Sequence, residues 1–122
     1  MSNYDTPKLT VALDSLSKGD YSAAVRLLDA LAKSGNPKAQ CNLATCYQLG
    51  LGVKADGLKA VELYKTVAEQ NIREEHLSAV AYNNMATIYI SGVAGIEPDC
   101  HKAAEYQKLS RSLDFPMSAP RL

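Results

Sequence analysis

Three cysteines and two histidines are the side chains of this sequence best suited to chemistry. Cys100 and His101 are neighbours, which on a helix places their side chains about 100° apart. The thiol therefore has no reason to meet the imidazole as a nucleophile meets its base. Cys41 and Cys46 are too far around a helix to point the same way, and the three cysteines follow no metal spacing. They read as buried, reduced thiols, which behave as small hydrophobes. Glu74 and Glu75, with His76 next, read as solvated charges at a helix start, where they complement the macrodipole. There is no Gly-rich phosphate loop, HExxH pair or nucleophile elbow, and Gly50-Leu51-Gly52 is too short for a nucleotide fingerprint. The expectation is a protein without catalytic residues, cofactor or metal.

Two carboxamides stand out by placement. Asn42 and Asn84 each precede a tyrosine, Tyr47 or Tyr89, by the same interval. A carboxamide donates and accepts at once, so it can pair with the N–H and C=O of a peptide, adding about 0.5–1.5 kcal/mol per net hydrogen bond. Equal placement on neighbouring elements would form a ladder.

The elements that carry them are legible as a phrase written twice. Ala39-Gln-Cys-Asn-Leu-Ala-Thr-Cys-Tyr47-Gln-Leu-Gly50 and Ala81-Tyr-Asn-Asn-Met-Ala-Thr-Ile-Tyr89-Ile-Ser-Gly92 are in register. Each leads through a short loop to an acid, Asp56 or Asp99, and then to Lys59-Ala60-Val61-Glu62 or Lys102-Ala103-Ala104-Glu105. Such repetition predicts stacked helical hairpins. The expected fold is all-α, a short α-α superhelix of about three hairpins over 7–34, 37–70 and 74–112, with an irregular tail over 113–122, all in one domain. Pro7 and Pro37 suit first helical turns, Asp20 can cap the second helix, and Gly19 and Gly35 end helices. The approach to the fifth helix carries six more residues than the approach to the third, predicting a fifth helix longer by one to two turns that stands out from the stack. Phe115 or Met117 could cover the last apolar face.

Composition narrows the partners. The chain of 122 residues is 47% hydrophobic and 21% charged, enough for a core without metal or disulfide staples. Thirteen basic and thirteen acidic residues cancel, so no global field gathers nucleic acid or anionic lipid. No run approaches the roughly 18 apolar residues of a membrane span, and Met1-Ser-Asn-Tyr-Asp5 lacks the pattern of a secretory signal. The default expectation is a cytoplasmic address.

From Gly35 to Asn71 the chain places Ala39, Leu43, Tyr47, Gly50, Gly52, Val53, Asp56, Lys59, Ala60, Tyr64 and Ala68 in a pattern that resembles one Sel1-like repeat, a relative of the tetratricopeptide repeat. A second stretch, Ala81 to Leu113, keeps Ala81, Met85, Ala86, Tyr89, Gly92, Asp99, Lys102 and Ala103, with one extra residue in its loop. The first hairpin matches only in its second helix, and its Gly19-Asp20-Tyr21 turn is closer to an ordinary tetratricopeptide repeat.

The resemblance implies an adaptor or assembly scaffold without chemistry of its own. It also implies that the first helix of each hairpin lines a concave groove, where Asn42 and Asn84 would hold an extended peptide. Lys38, Thr45, Gln48, Asn83 and Thr87 lie away from the alanine-leucine-tyrosine stripe and are further partner-binding candidates. Tyr82, the counterpart of Gln40, is expected at the groove margin, while Tyr47 and Tyr89 read as core. The leading expectation is a module binding a protein or peptide in that groove. Two other readings stay open: a structural subunit that self-associates or assembles through its array ends, and an inhibitor that occludes an enzyme through its convex face or long fifth helix.

Overall fold

The protein, a computed structural model, is described over residues 6–70 and 75–114. Six helices follow in order: α1 (Thr6–Ser17), α2 (Tyr21–Lys33), α3 (Pro37–Leu49), α4 (Gly57–Gln70), α5 (Glu75–Ser91) and α6 (Cys100–Asp114). They form three hairpins, α1 with α2, α3 with α4 and α5 with α6, stacked as α2 packs on α3 and α4 on α5. The chain is an all-α solenoid of the kind its repeated phrase predicts.

Helix ends follow local chemistry. Asn36 caps α3 by accepting the Ala39 N–H at 3.0 Å, with Pro37 in the first turn, where its missing N–H costs nothing. Gly50 closes α3 in the left-handed region at φ 72°, which only glycine adopts without strain. The repeated acids are caps: Asp56 Oδ1 accepts the Lys59 N–H and Asp99 Oδ1 the Lys102 N–H, each at 3.1 Å. Asp20 departs from expectation, because it stands before α2 but its side chain makes no capping bond.

Two apolar clusters share α3. One joins Leu9 and Ala12 of α1, Leu28 and Leu31 of α2, and Leu43 and Cys46 of α3. The other joins Cys41 and Ala44 of α3, Tyr64 and Val67 of α4, and Met85 and Ile88 of α5. Tyr47 and Leu63 touch both, so one continuous core runs through the stack. The loops lock neighbouring hairpins together. Gly52 lies so close to the start of α2 that a Cβ there would sit 2.6 Å from the Tyr21 carbonyl oxygen. One hairpin further on, the Gly57 N–H donates to the Ala94 C=O at 2.7 Å, and a Cβ on Gly57 would meet Ile96 Cγ1 at 2.7 Å.

The longer fifth helix is present but differently disposed. It begins six residues before Ala81, whereas α3 begins two before Ala39, an added turn of about 6 Å. That turn does not stand out from the stack. Ser78 is buried and donates to the Ala68 C=O at 3.0 Å, and Leu77 packs on the second cluster. Apolar and hydrogen-bonding groups on the turn dock it, which its acids alone did not reveal. Glu74, Phe115 and Met117 lie outside the described residues, and α6 continues past Ser112 to Asp114.

Candidate functional site

Residues three or four apart share a helix face. Lys38, Asn42 and Thr45 on α3, and His76, Val80 and Asn84 on α5, form two such stripes, and the stack sets them side by side. With Leu13 of α1, Cys41 and Leu77 they line a groove of about 330 Å³ across the three inner helices.

The groove floor is fixed from behind. Tyr64, fully buried on α4, sends its hydroxyl between α3 and α5, donating to Gln48 Oε1 at 2.9 Å and lying 2.7 Å from Thr45 Oγ1. The Thr45 hydroxyl also reaches the Cys41 C=O at 3.1 Å, so two hydroxyl protons serve three contacts. Asn84 approaches the same phenol from α5. Burial pushes the Tyr64 phenol up to about 12, partly offset by the bond with Thr45. Burial likewise raises the Cys41 thiol to about 11 and raises Cys46. The thiol beside the groove therefore keeps its proton at neutral pH and is a poor nucleophile.

Asn42 donates one amide N–H to the Lys38 C=O at 2.8 Å, which leaves its oxygen and its second N–H for a ligand. Four of the eight residues singled out in the sequence, Lys38, Asn42, Thr45 and Asn84, are thus brought to one groove. Gln48 joins through Tyr64. Asn83 and Thr87 are exposed on α5, with Thr87 Oγ1 donating to the Asn83 C=O at 3.1 Å. Tyr82 is not at the groove margin: its ring stacks on Tyr106 of α6, centroids 6.0 Å apart and 20° between planes, and Tyr106 stacks in turn on Tyr89. An aromatic partner on α6 outcompetes the open groove for that ring.

The sequence reading passed over Leu13, His76, Leu77 and Val80 as site residues. A usable signal existed, since His76 and Val80 continue the stripe of Asn84 backwards by helical steps. Cys100 is a second correction: it is exposed, at the first position of α6. Its neighbour His101 is exposed as well, and its backbone N–H donates to Asp99 Oδ1 at 3.0 Å. Among the described residues no three His, Cys, Asp or Glu side chains gather as metal ligands, and no helix is long and apolar enough to cross a membrane. The repeated lysines and tyrosines form equivalent cation–π pairs, Lys59 over Tyr47 at 5.3 Å and Lys102 over Tyr89 at 5.2 Å.

The repeat and the fold are similar to those of known proteins. The Sel1 repeat profile matches residues 37–72 and 79–113, more than half of the chain. The chain belongs to the Sel1 repeat family. Among solved structures it is similar to c5321, a protective antigen of uropathogenic Escherichia coli displaying an SLR fold, with 26% identity and a TM-score of 0.71 over 86% of this chain and 22% of that one. A Sel1 repeat protein from Oxalobacter formigenes shares 28% identity with a TM-score of 0.67, over 86% of this chain and 42% of the other. Chitin synthase regulatory factor 3 of Schizosaccharomyces pombe is 37% identical over 76 residues, which is 62% of this chain but 8% of that protein. The chain thus spans less than half the length of each of these relatives. Sel1 solenoids generally serve as scaffolds for protein–protein interaction.

Proposed function

We propose that this Sel1 repeat chain is a non-catalytic interaction module that holds an extended segment of a partner protein in the groove across α1, α3 and α5. The observation that carries the reading is that Asn42 and Asn84, from neighbouring repeats, line one groove together with Lys38 and Thr45. An extended segment laid across them satisfies its backbone with carboxamides and seats its side chains between the helices, so recognition needs no covalent step. Tyr64 and its three polar neighbours preorganise the floor, which lowers the ordering cost of binding. A relative named as a regulatory factor supports a role exerted through binding.

The test is capture of partners by the chain and by its Asn42→Ala, Asn84→Ala double variant, with folding checked by circular dichroism. A partner held by the wild type and lost by the folded variant is the expected result. Full retention of every specific partner would sink the groove reading and return attention to the array ends and convex face.

A further inference from the structure

We infer that the groove selects a linear segment carrying an acidic side chain beside an aliphatic one, with the carboxylate between Lys38 and His76 and the aliphatic group on Leu13, Leu77 and Val80. This rests on the groove reading above and names its ligand.

Charge is the first support. Among the described residues lining the groove, Lys38 and His76 can carry positive charge and none carries a carboxylate. Lys38 is the second residue of α3, where the positive end of that helix dipole adds to its charge, whereas the start of α5 also carries Glu75 beside His76. Neither Lys38 nor His76 takes part in the ion pairs Lys18–Asp14 and Lys33–Asp29, which lie on α1 and α2.

The second support is division of labour. With one N–H of Asn42 spent on the Lys38 C=O, its oxygen and remaining N–H suit the N–H and C=O of a peptide backbone, while a carboxylate gains most from the two cations. Leu13 and Val80 are each 36% exposed beside them, an apolar seat open to solvent. On α3 the face of Lys38, Asn42 and Thr45 continues by a helical step to Leu49, which is 61% exposed. A chain can run on in that direction, which favours an internal side-chain carboxylate over a chain end. His76 and Leu77 come from the turn that α5 has and α3 lacks, so the selectivity belongs to this chain and not to the repeat in general.

The experiment pans a library of random displayed peptides against the whole chain, then measures enriched sequences as fluorescein-labelled, C-terminally amidated peptides by anisotropy. We expect an Asp or Glu next to Leu, Ile or Val in the enriched set. Changing that acid to its amide weakens binding at least about tenfold, the loss expected of one charge-assisted hydrogen bond. Lys38→Glu and His76→Glu each do the same and recover affinity for a peptide with lysine in place of the acid, while Lys65→Glu on α4 changes nothing. Binding that is indifferent to the acid, or that needs a free terminal carboxylate, overturns the inference. If the lysine and histidine variants bind normally while Asn42→Ala with Asn84→Ala does not, the acid preference fails and the interaction reading stands. No enriched peptide, or binding indifferent to all four changes, removes both.

Discussion

Asn36 shows how much one side chain carries at a repeat junction. It is 1% exposed, its oxygen caps α3, and its Nδ2 has no protein partner. Losing the cap costs about 1 kcal/mol, while a serine there keeps it. Asn36→Ala is therefore expected to lower the urea midpoint clearly and Asn36→Ser to lower it much less. Tyr64 and Cys41 make the residue-scale prediction in pH. Their folded pKa values are raised to about 12 and about 11, so the folded state holds protons that the unfolded state releases. The stability they contribute is whole below pH 9, the ordinary value of the thiol, and is lost as pH climbs through 11 and 12. Chemical denaturation from pH 8 to 12 should show that decline. Its upper part should vanish in Tyr64→Phe, since phenylalanine does not titrate. Alkylation gives a third check: Cys100, exposed at the start of α6, should react in the native protein, while Cys41 and Cys46 react only after unfolding.

Between elements, the loops decide the stacking. Gly52 and Gly35 both have positive φ, at 75° and 98°, but only Gly52 faces another backbone. Alanine at Gly35 meets open space and costs about 1 kcal/mol for the left-handed conformation alone. At Gly52 the same Cβ would strike the Tyr21 carbonyl and push α2 from the loop, so Gly52→Ala should lose at least about twice as much in equilibrium unfolding. The sequence shows these glycines equally as turn residues. Which one is pressed against a neighbouring hairpin depends on distances set by the stack. The added turn of α5 teaches the same point. Its length was readable from the spacing of the repeated phrase, but its docking through Ser78 and Leu77, and hence its role as a groove wall, was not.

The whole molecule is a stack in which each hairpin packs mainly on its neighbours, so stability is distributed among interfaces. Tyr64 joins α3, α4 and α5, and no aromatic takes its place in the last hairpin, where Gln107 occupies the equivalent position. Ala104 and Arg111 similarly replace Val61 and Ala68 on α6, giving that face of α6 a more polar character than the same face of α4. Tyr64→Ala is expected to cost about 3–5 kcal/mol and to detach the last hairpin first. Amide exchange should accelerate in α5 and α6 while α1 and α2 keep most of their protection. Uniform acceleration through all six helices would show instead that the stack unfolds as one unit.

The sequence by itself determined the helices, the stop and restart before α3 and the pairing of helices, though not the capping bond expected of Asp20, because these follow from local spacing: Asp56 and Asp99 before their lysines, Pro37 after Asn36, and the twice-written face from alanine to tyrosine. It also placed Asn42 and Asn84 at equivalent positions. Only the tertiary structure decided that these two share a groove, that His76 and Val80 join them, and that Tyr82 turns towards Tyr106. The reason is physical. Helical periodicity fixes the direction of a side chain about its own axis, whereas its neighbours depend on how hairpins rotate and approach. Those rotations are set by contacts far apart in the chain, such as Gly52 on Tyr21, Gly57 on the 93–96 loop and the Tyr64 hydroxyl between α3 and α5.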